Sequence, residues 1–316
     1  MALLIIGSQR SAEFLAAIRE IAPDMDVRVW PQQAGRIEDI GCALAWGPPP
    51  GALKTLPNLR LVVSVGAGVD HLMHDPELPS IPVVRYVDPD LTRRMVAYIA
   101  LQVLFHQRRM SEFIELQHNR TWKYLREPAP AEVRVGLMGL GVMGEAAAVA
   151  LRALGFQVRG WSRSRKHLEG VTCFAGESEL DAFLGDTDIL ACTLPLTPET
   201  RGILNRPLFR KLSRSGRHER LPGPVLINAG RGGLQVEADI IAALEAGELY
   251  AASLDVFETE PLPATSPLWA HPRVVVTPHN AAESTSRAIA RYCVQQVRAL
   301  ERGEPLKNVV DRERGY

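Results

Sequence analysis

Three glycines spaced as Gly-x-Gly-x-x-Gly carry the clearest chemical signal in this 316-residue sequence. They lie between the apolar run Val133–Met138 and the helix-forming run Glu145–Leu154. The first glycine would permit a tight turn, the second would let backbone N–H groups approach a pyrophosphate, and the third would let helix and strand pack closely. The pyrophosphate site of a dinucleotide is therefore predicted at this turn, at Gly139, Gly141, Val142, Met143 and Gly144.

A polar and basic turn follows the next apolar run, Phe156–Trp161. Many NAD sites carry Asp or Glu there, which accepts a hydrogen bond from the ribose 2′-hydroxyl. The hydroxyls and cations of this chain would instead hold a 2′-phosphate, so the turn favours NADPH over NADH, which is the second choice. A solvated basic turn at a helix start is the alternative. The predicted 2′-phosphate site comprises Ser162, Arg163, Ser164, Arg165 and Lys166.

Composition and length favour two packed domains in a cytoplasmic protein. The chain is longer than one hydrophobic core usually serves, and 46% of it is apolar. Its formal net charge is zero, so no overall field attracts nucleic acid or a membrane surface, and the expected partner is a small-molecule substrate. The apolar start Met1–Gly7 lacks a basic flank and a cleavage site, which predicts a buried strand. Four widely spaced cysteines predict reduced packing residues, and no metal site is expected.

Short apolar runs alternate with helical stretches, the pattern of doubly wound α/β domains. Before the glycine turn, parallel strands are predicted at Ala2–Ile6, Val27–Trp30, Cys42–Trp46, Leu61–Val65 and Val83–Tyr86. After it, they are predicted at Phe156–Trp161, Ile189–Leu194, Val225–Ala229, Ala251–Val256 and Val274–Thr277. The sequence thus predicts two Rossmann-like or flavodoxin-like parallel-sheet domains with a cleft between them.

Two long helices would connect these domains, one from Thr92 to Arg108 and the last at roughly Ser284–Arg302. The first domain, which would bind the substrate, is predicted to be discontinuous, with residues 1–95 and 285–316. Residues 96–284 would form the dinucleotide-binding domain. The Gly- and Pro-rich segment Arg214–Pro224 within it predicts a solvated surface loop.

Four motifs in the second half resemble those of the D-isomer-specific 2-hydroxyacid dehydrogenases in order and spacing. They are Leu194–Gly202, Ile227–Gly232, Leu254–Leu262 and Thr277–Ala281. The segment Val65–His71 is similar to the loop of that family that binds the substrate carboxylate. The resemblance therefore spans essentially the whole chain.

Further segments resemble one branch of this family, the reductases of glyoxylate and hydroxypyruvate. These segments are Trp46–Pro50, Gly66–Asp70, Met95–Tyr98 and Trp161–Lys166. The resemblance implies reduction of small 2-keto acids to 2-hydroxy acids such as glycolate and D-glycerate, with a hydride taken from NADPH.

The chemistry of that reduction accounts for Arg231, Glu260 and His279. A proton must reach the carbonyl oxygen while a cation holds the neighbouring carboxylate. His279 suits the proton donor because an unperturbed imidazole has a pKa of about 6.5, and Glu260 beside it would favour the imidazolium. Arg231 can bind a carboxylate through two hydrogen bonds. Each residue alone has an ordinary explanation as a loop or cap residue, so the prediction depends on their occurrence together at strand ends and on the resemblance.

The remaining predicted contacts come from the same motifs. Ala67 and Gly68 would bind the substrate carboxylate through backbone N–H groups, although an ordinary strand-to-helix turn explains them equally well. Trp46 would form a wall of the substrate pocket, with a buried core position as the alternative, and Asp255 would contact the nicotinamide end of the cofactor. Other predicted cofactor contacts are Pro195 and Thr200 on the adenosine side, and Leu194, Ala229, Gly230, Arg231 and His279.

Other functions stay open at this point. The same chemistry on a bulkier 2-keto acid such as phenylpyruvate is one, and an NAD(P)-sensing corepressor without turnover is another. Phosphite or formate oxidation is a third, but formate enzymes of this group typically pair the histidine with glutamine, and Glu260 stands here. The polar stretch that carries Trp122 and Tyr124 after the long helix predicts a homodimer.

Overall fold

The computed structural model describes residues 1–213 and 215–316. These residues form two compact units, which we call the N-terminal unit (Met1–Pro89 with Ser284–Tyr316) and the central unit (Asp90–Glu283). The N-terminal unit is discontinuous in sequence. The domain boundaries predicted from the sequence lie after residues 95 and 284. The assignment of substrate binding to one domain and dinucleotide binding to the other stays a prediction.

The N-terminal unit contains a five-stranded parallel sheet with the strand order β2-β1-β3-β4-β5. Its strands are β1 (Ala2–Ile6), β2 (Val27–Val29), β3 (Ile40–Ala45), β4 (Leu61–Ser64) and β5 (Val83–Val84). Its helices are α1 (Ser11–Ile21), α2 (Asp70–Met73) and α9 (Ser286–Arg302). This order is that of flavodoxin-like folds, as predicted.

Burial on both sheet faces explains why these strands are nearly continuous apolar runs. All residues of β1, β3 and β4 are buried. Helix α9 packs against α1, and Thr285 begins it as an N-cap whose hydroxyl accepts a hydrogen bond from the Ala288 N–H at 3.2 Å. The carboxyl ends of β3 and β4 lead into the segments that carry Trp46 and Ala67.

The central unit contains a seven-stranded parallel sheet with the order β12-β11-β10-β9-β6-β7-β8. Its strands are β6 (Arg134–Met138), β7 (Gln157–Ser162), β8 (Thr172–Ala175), β9 (Ile189–Cys192), β10 (Val225–Asn228), β11 (Ala251–Leu254) and β12 (Val274–Val276). Its helices are α3 (Pro89–Gln107), α4 (Met110–His118), α5 (Val142–Ala153), α6 (Leu180–Gly185), α7 (Arg206–Phe209) and α8 (Glu237–Glu245). The order reverses between β6 and β9, the point at which Rossmann folds bind dinucleotides.

Alternate residues of the central strands enter two separate cores, one on each face of the sheet. Leu137, Ala191 and Ile227 pack in one core with α3 and α5, whereas Leu190 and Leu226 pack in the other. Two covered faces account for the apolar strands. None of the helices in the described residues is both long and apolar enough to cross a membrane.

The predicted strands were found, with ends that differ by one or two residues, except that β8 was missed. Helix α3 begins at Pro89 rather than Thr92, because proline fits the first helical position, where its missing N–H costs nothing. The predicted surface loop Arg214–Pro224 forms no helix or strand in its described residues, but Leu221 is buried in a core. Arg214 lies outside the described residues.

Candidate active site

The glycine turn connects β6 to α5 with little room for side chains. Gly139 has a φ of +112°, which disfavours any residue with a Cβ. A Cβ on Gly144 would lie 1.9 Å from the carbonyl oxygen of Gly139, so helix and strand could not pack with a larger residue there. A Cβ on Gly141 would have no neighbour within 4 Å, and this open space lies at the start of α5. The N-terminus of α5 is therefore accessible to an anion such as a pyrophosphate.

The basic turn after β7 contains cations that already have carboxylate partners. Arg165 donates one hydrogen bond to the carbonyl oxygen of Cys173 at 2.7 Å and forms an ion pair with Glu179. Lys166 lies 3.1 Å from a carboxylate oxygen of Glu145. Arg165 and Lys166 are 47% and 43% exposed in their side chains, so a solvent-borne anion can reach them. A 2′-phosphate at this turn would compete with these carboxylates.

The sequence analysis missed two carboxylates that pair with cations of this turn, Glu145 on α5 and Glu179 after β8. The backbone N–H of Ala175 and the Arg165 guanidinium hold the pKa of Glu179 below its usual value, so Glu179 stays charged. The Ser162 hydroxyl donates a hydrogen bond to the carbonyl oxygen of Ser164 at 2.8 Å, and this local bond stabilises the turn. The structure thus brings the five predicted residues into one turn.

The loop after β9 carries three further predicted cofactor contacts, Leu194, Pro195 and Thr200. The Thr200 hydroxyl donates to the carbonyl oxygen of Pro195 at 2.7 Å and accepts from the N–H of Thr197 at 2.8 Å. Leu194 is buried, and a Cβ on Gly230 would lie 3.0 Å from its carbonyl oxygen. Thr200 therefore fixes the shape of this loop, and its contact with a cofactor stays a prediction.

Arg231 lies in the loop after β10, next to the segment that carries Glu260. A Cβ on Gly232 would lie 1.7 Å from the carbonyl oxygen of Phe257, so the two loops touch through their backbones. Asn228 stabilises the Arg231 loop, because its amide donates to the carbonyl oxygen of Arg231 at 3.2 Å and its side-chain oxygen accepts from the N–H of Gly230 at 3.1 Å. The tight backbone approach explains the glycine that follows Arg231.

His279 and Glu260 form a direct pair. Nδ1 of His279 lies 2.7 Å from a carboxylate oxygen of Glu260, whose other oxygen accepts the N–H of Phe257 at 3.0 Å. Burial alone would raise the pKa of Glu260, but the hydrogen bonds from His279 and Phe257 and the charge of Arg231 bring that pKa below its usual value. The pair leaves Nε2 of His279 as the nitrogen that can donate a proton to a substrate. Both side chains are partly exposed, 34% for His279 and 36% for Glu260.

Asp255 holds the turn that presents His279. Its carboxylate accepts the N–H groups of Asn280 and Ala281, each at 3.0 Å, and its carbonyl oxygen accepts the N–H of His279 at 2.7 Å. His279 has a φ of +53°, a left-handed conformation that costs a residue with a Cβ roughly 1–2 kcal/mol. Asp255 is 1% exposed, so these bonds occupy a buried carboxylate. Its predicted contact with the nicotinamide stays a prediction.

The predicted substrate loop belongs to the N-terminal unit. Ala67 and Gly68 follow β4 and are both partly exposed. The Trp46 ring lies against this loop, since a Cβ on Gly66 would be 2.6 Å from its edge, and its centroid is 4.4 Å from that of the His71 ring. Trp46 is half-buried. Both the pocket-wall and the core interpretation of Trp46 are consistent with this position.

Comparison with known proteins identifies the family of this chain. Residues 100–281 match the NAD binding domain of the D-isomer specific 2-hydroxyacid dehydrogenases. The chain belongs to this family. The glyoxylate/hydroxypyruvate reductase A of Escherichia fergusonii is 40% identical over 309 residues, which cover 96% of each chain. Its counterpart in Serratia proteamaculans is 40% identical over 310 residues, again covering 96% of each chain.

Two solved structures are similar over the full length of this dehydrogenase. The NADPH-dependent glyoxylate/hydroxypyruvate reductase of Sinorhizobium meliloti, in complex with NADP and sulfate, is 44% identical with a TM-score of 0.92, and 100% of both chains are covered. A D-isomer specific 2-hydroxyacid dehydrogenase of Xanthobacter autotrophicus Py2, in complex with NADPH and MES, is 42% identical with a TM-score of 0.92. The match covers 100% of this chain and 99% of that one.

We assign no chemistry to the cysteine thiols of this dehydrogenase. Cys42, Cys192 and Cys293 are buried and Cys173 is partly buried, all with free thiols. Burial raises the pKa of Cys42 and Cys192 to about 12, so neither thiol is a nucleophile at neutral pH.

Proposed function

We propose that this protein reduces glyoxylate and hydroxypyruvate with NADPH, giving glycolate and D-glycerate. The observation that carries the proposal is the His279–Glu260 pair, whose atoms lie 2.7 Å apart at the carboxyl edge of a Rossmann sheet. The loop that carries Glu260 also touches the Arg231 loop. Family membership and the names of the two reductases similar over 96% of the chain support it.

The dinucleotide would be held at the glycine turn and the basic turn. The open space at Gly141 and the accessible start of α5 fit a pyrophosphate, and the cations at Arg165 and Lys166 fit a 2′-phosphate. When bound, the cofactor supplies the hydride for C2 of the keto acid. We infer a preference for NADPH because the turn has no acidic residue at positions 162–166.

The protein's own residues would supply the proton and the anchor. Arg231 binds the substrate carboxylate through its guanidinium. In the N-terminal unit, the backbone N–H groups of Ala67 and Gly68 can bind an anion. His279 donates a proton from Nε2 to the carbonyl oxygen as the negative charge develops there. Glu260 stabilises the imidazolium form of His279 and fixes the ring through Nδ1.

A panel of keto acids tests this proposal. Purified protein is assayed with glyoxylate, hydroxypyruvate, pyruvate and phenylpyruvate, each with NADPH and with NADH. We expect the highest kcat/KM for glyoxylate or hydroxypyruvate with NADPH. A higher kcat/KM for phenylpyruvate would assign a bulkier substrate, and cofactor binding without any turnover would favour a corepressor.

We further propose that the protein works as a cytoplasmic homodimer. Four free thiols suit a reducing compartment. Relative to a fully extended reference, the solvent-accessible areas of Trp122 and Tyr124 are 103% and 79%. Those of Leu101 on α3 and Ile114 on α4 are 59% and 54%. Aromatic and aliphatic side chains exposed together on one stretch of chain favour burial by a second copy.

Light scattering at micromolar concentration should give twice the chain mass. Trp122→Ala should weaken the dimer because it removes an aromatic anchor, by about tenfold or more in Kd. Val149→Ala, which changes a residue on α5 that is 65% exposed, is the matched control and should leave the dimer intact. A monomeric wild-type protein would contradict the proposal.

A further inference from the structure

A chain of hydrogen bonds joins helix α3 to the turn that presents His279. The hydroxyl of Tyr98 lies 2.9 Å from the hydroxyl of Thr277, and Thr277 donates to a carboxylate oxygen of Asp255 at 2.6 Å. Tyr98 is 9% exposed and Asp255 is 1% exposed, so solvent does not replace these bonds readily. The chain lies wholly within the central unit.

Each hydroxyl has a single proton, and this fixes which group is the donor in each of these hydrogen bonds. A carboxylate only accepts hydrogen bonds, so the single hydroxyl proton of Thr277 goes to Asp255. Tyr98 must therefore donate to Thr277. Burial raises the pKa of Tyr98 to about 12, so its phenol keeps this proton across the working range of pH.

Thr277 is also the last residue that continues the pairing of β11 with β12. Its N–H donates to the carbonyl oxygen of Leu254 at 3.0 Å, and its own carbonyl oxygen accepts the N–H of His279 at 3.0 Å. The residue therefore contacts Asp255 through its side chain and His279 through its backbone. Rotation of Thr277 would disturb both.

We propose that Tyr98 and Thr277 are positioning residues for the proton donor, acting through Asp255 on the turn of His279. This inference rests on the proposed reductase function. His279 has a left-handed backbone conformation, which persists only where its surroundings hold it. Asp255 holds the turn by three hydrogen bonds to residues 279–281, and the two hydroxyls hold the Asp255 carboxylate. Without them His279 loses its fixed distance from a bound substrate.

Hydroxyl-deleting variants test this proposal by kinetics. Thr277→Val should lower kcat by about tenfold, because even a small displacement of the proton donor slows the reaction steeply. Tyr98→Phe should lower kcat by about three- to tenfold. Thr277→Ser keeps the hydroxyl and should stay within about twofold of the wild type. The KM for NADPH should change little in all three. Because Tyr98 acts through Thr277, the double variant Tyr98→Phe/Thr277→Val should be no slower than Thr277→Val alone.

Ser253→Ala is the matched control for lost packing. Ser253 lies two residues before Asp255 on β11 and bonds to His106 at 2.8 Å and to Gln102 at 2.7 Å, both on α3. Its variant removes buried hydrogen bonds between α3 and the same sheet without touching the turn. We expect a lower Tm and an unchanged kcat. A Tyr98→Phe or Thr277→Val variant with a lower Tm and normal kcat, or a Thr277→Ser variant as slow as Thr277→Val, would overturn the proposal.

NMR spectra of ¹⁵N-histidine-labelled protein give a readout that needs no turnover. The sequence has eight histidines, and the variant His279→Gln would assign the signals of His279. Tyr98→Phe and Thr277→Val should shift the His279 ring signals, whereas Ser253→Ala should shift those of His106 instead. Unmoved His279 signals in both hydroxyl variants would reject the positioning role. An inactive wild type would reject the proposed function, and the histidine spectra would still decide the role of Tyr98 and Thr277.

Discussion

Replacement of His279 by alanine is expected to lower kcat/KM for glyoxylate by a factor of about 100 or more, the usual contribution of a positioned proton donor. Arg231→Ala should cause a loss of similar size, because the substrate carboxylate loses its charged anchor. Steady-state kinetics with saturating NADPH measures both. NADPH binding, followed by fluorescence, should be weakened far less than kcat/KM in both variants, because the glycine turn and the basic turn would hold most of the cofactor. This comparison separates chemistry from cofactor loss.

Glu260→Gln should lower kcat less than His279→Ala does, without abolishing the reaction. The wild-type carboxylate lies 2.7 Å from Nδ1, and its hydrogen bonds hold its pKa below the usual value, so Glu260 is charged at neutral pH. Glutamine keeps a side-chain oxygen for Nδ1 but lacks this charge. Because the pKa of Glu260 is lowered, the difference in kcat between the two proteins should disappear only at a pH low enough to protonate Glu260. A normal kcat in Glu260→Gln, together with normal turnover of His279→Ala, would rule out the pair as the proton donor.

Much of the fold could be predicted because buried parallel strands have a simple signature. Each face of both sheets is covered, so β1, β9 and β10 are apolar runs that a reader of the sequence can find. Strand β8 lacks this signature. It is a sheet-edge strand, Thr172–Ala175, with no fully buried residue, and its existence depends on pairing with β7.

The parts of the candidate site that consist of contiguous sequence motifs could be predicted. Contacts between residues that are distant in sequence mostly could not. The glycine turn and the basic turn are contiguous segments. The pairing of Glu260 with His279 was expected from the resemblance. The Asp255–Thr277 contact needs β11 and β12 to be neighbours, and the Arg165–Glu179 pair needs β8 to return beside β7. No sequence pattern predicts either of these two contacts.

The Glu179 contact refines how the protein should choose its cofactor. Glu179 pairs with Arg165 on an exposed surface, where ion pairs are weak compared with charge-assisted hydrogen bonds to a phosphate. A 2′-phosphate would therefore displace the Glu179 carboxylate from Arg165. Glu179→Gln removes the competitor and should lower the KM for NADPH, while the KM for NADH, which has no 2′-phosphate, should stay unchanged.

The wild type is expected to use NADPH at least about tenfold better than NADH in kcat/KM, since one charge-assisted bond of about 1.5 kcal/mol corresponds to that factor. Arg163→Ala/Arg165→Ala should raise the KM for NADPH far more than for NADH, with kcat little changed, because a 2′-phosphate remote from the hydride binds equally in ground and transition states. Ser162→Asp added to this variant should move the preference toward NADH, because a carboxylate accepts the ribose hydroxyl and repels the phosphate.

Salt supplies the control for this cofactor preference. Exposed charges are screened within about 8 Å at physiological ionic strength, so the KM for NADPH should rise with salt more steeply than that for NADH. The double alanine variant should lose this difference in slope, whereas Lys211→Ala, which removes a partly exposed lysine paired with Asp181 on α6, should keep it. Equal kcat/KM values for the two cofactors in the wild type, or equal losses in the double variant, would show that the turn after β7 is a solvated surface and that the 2′-position is not recognised there.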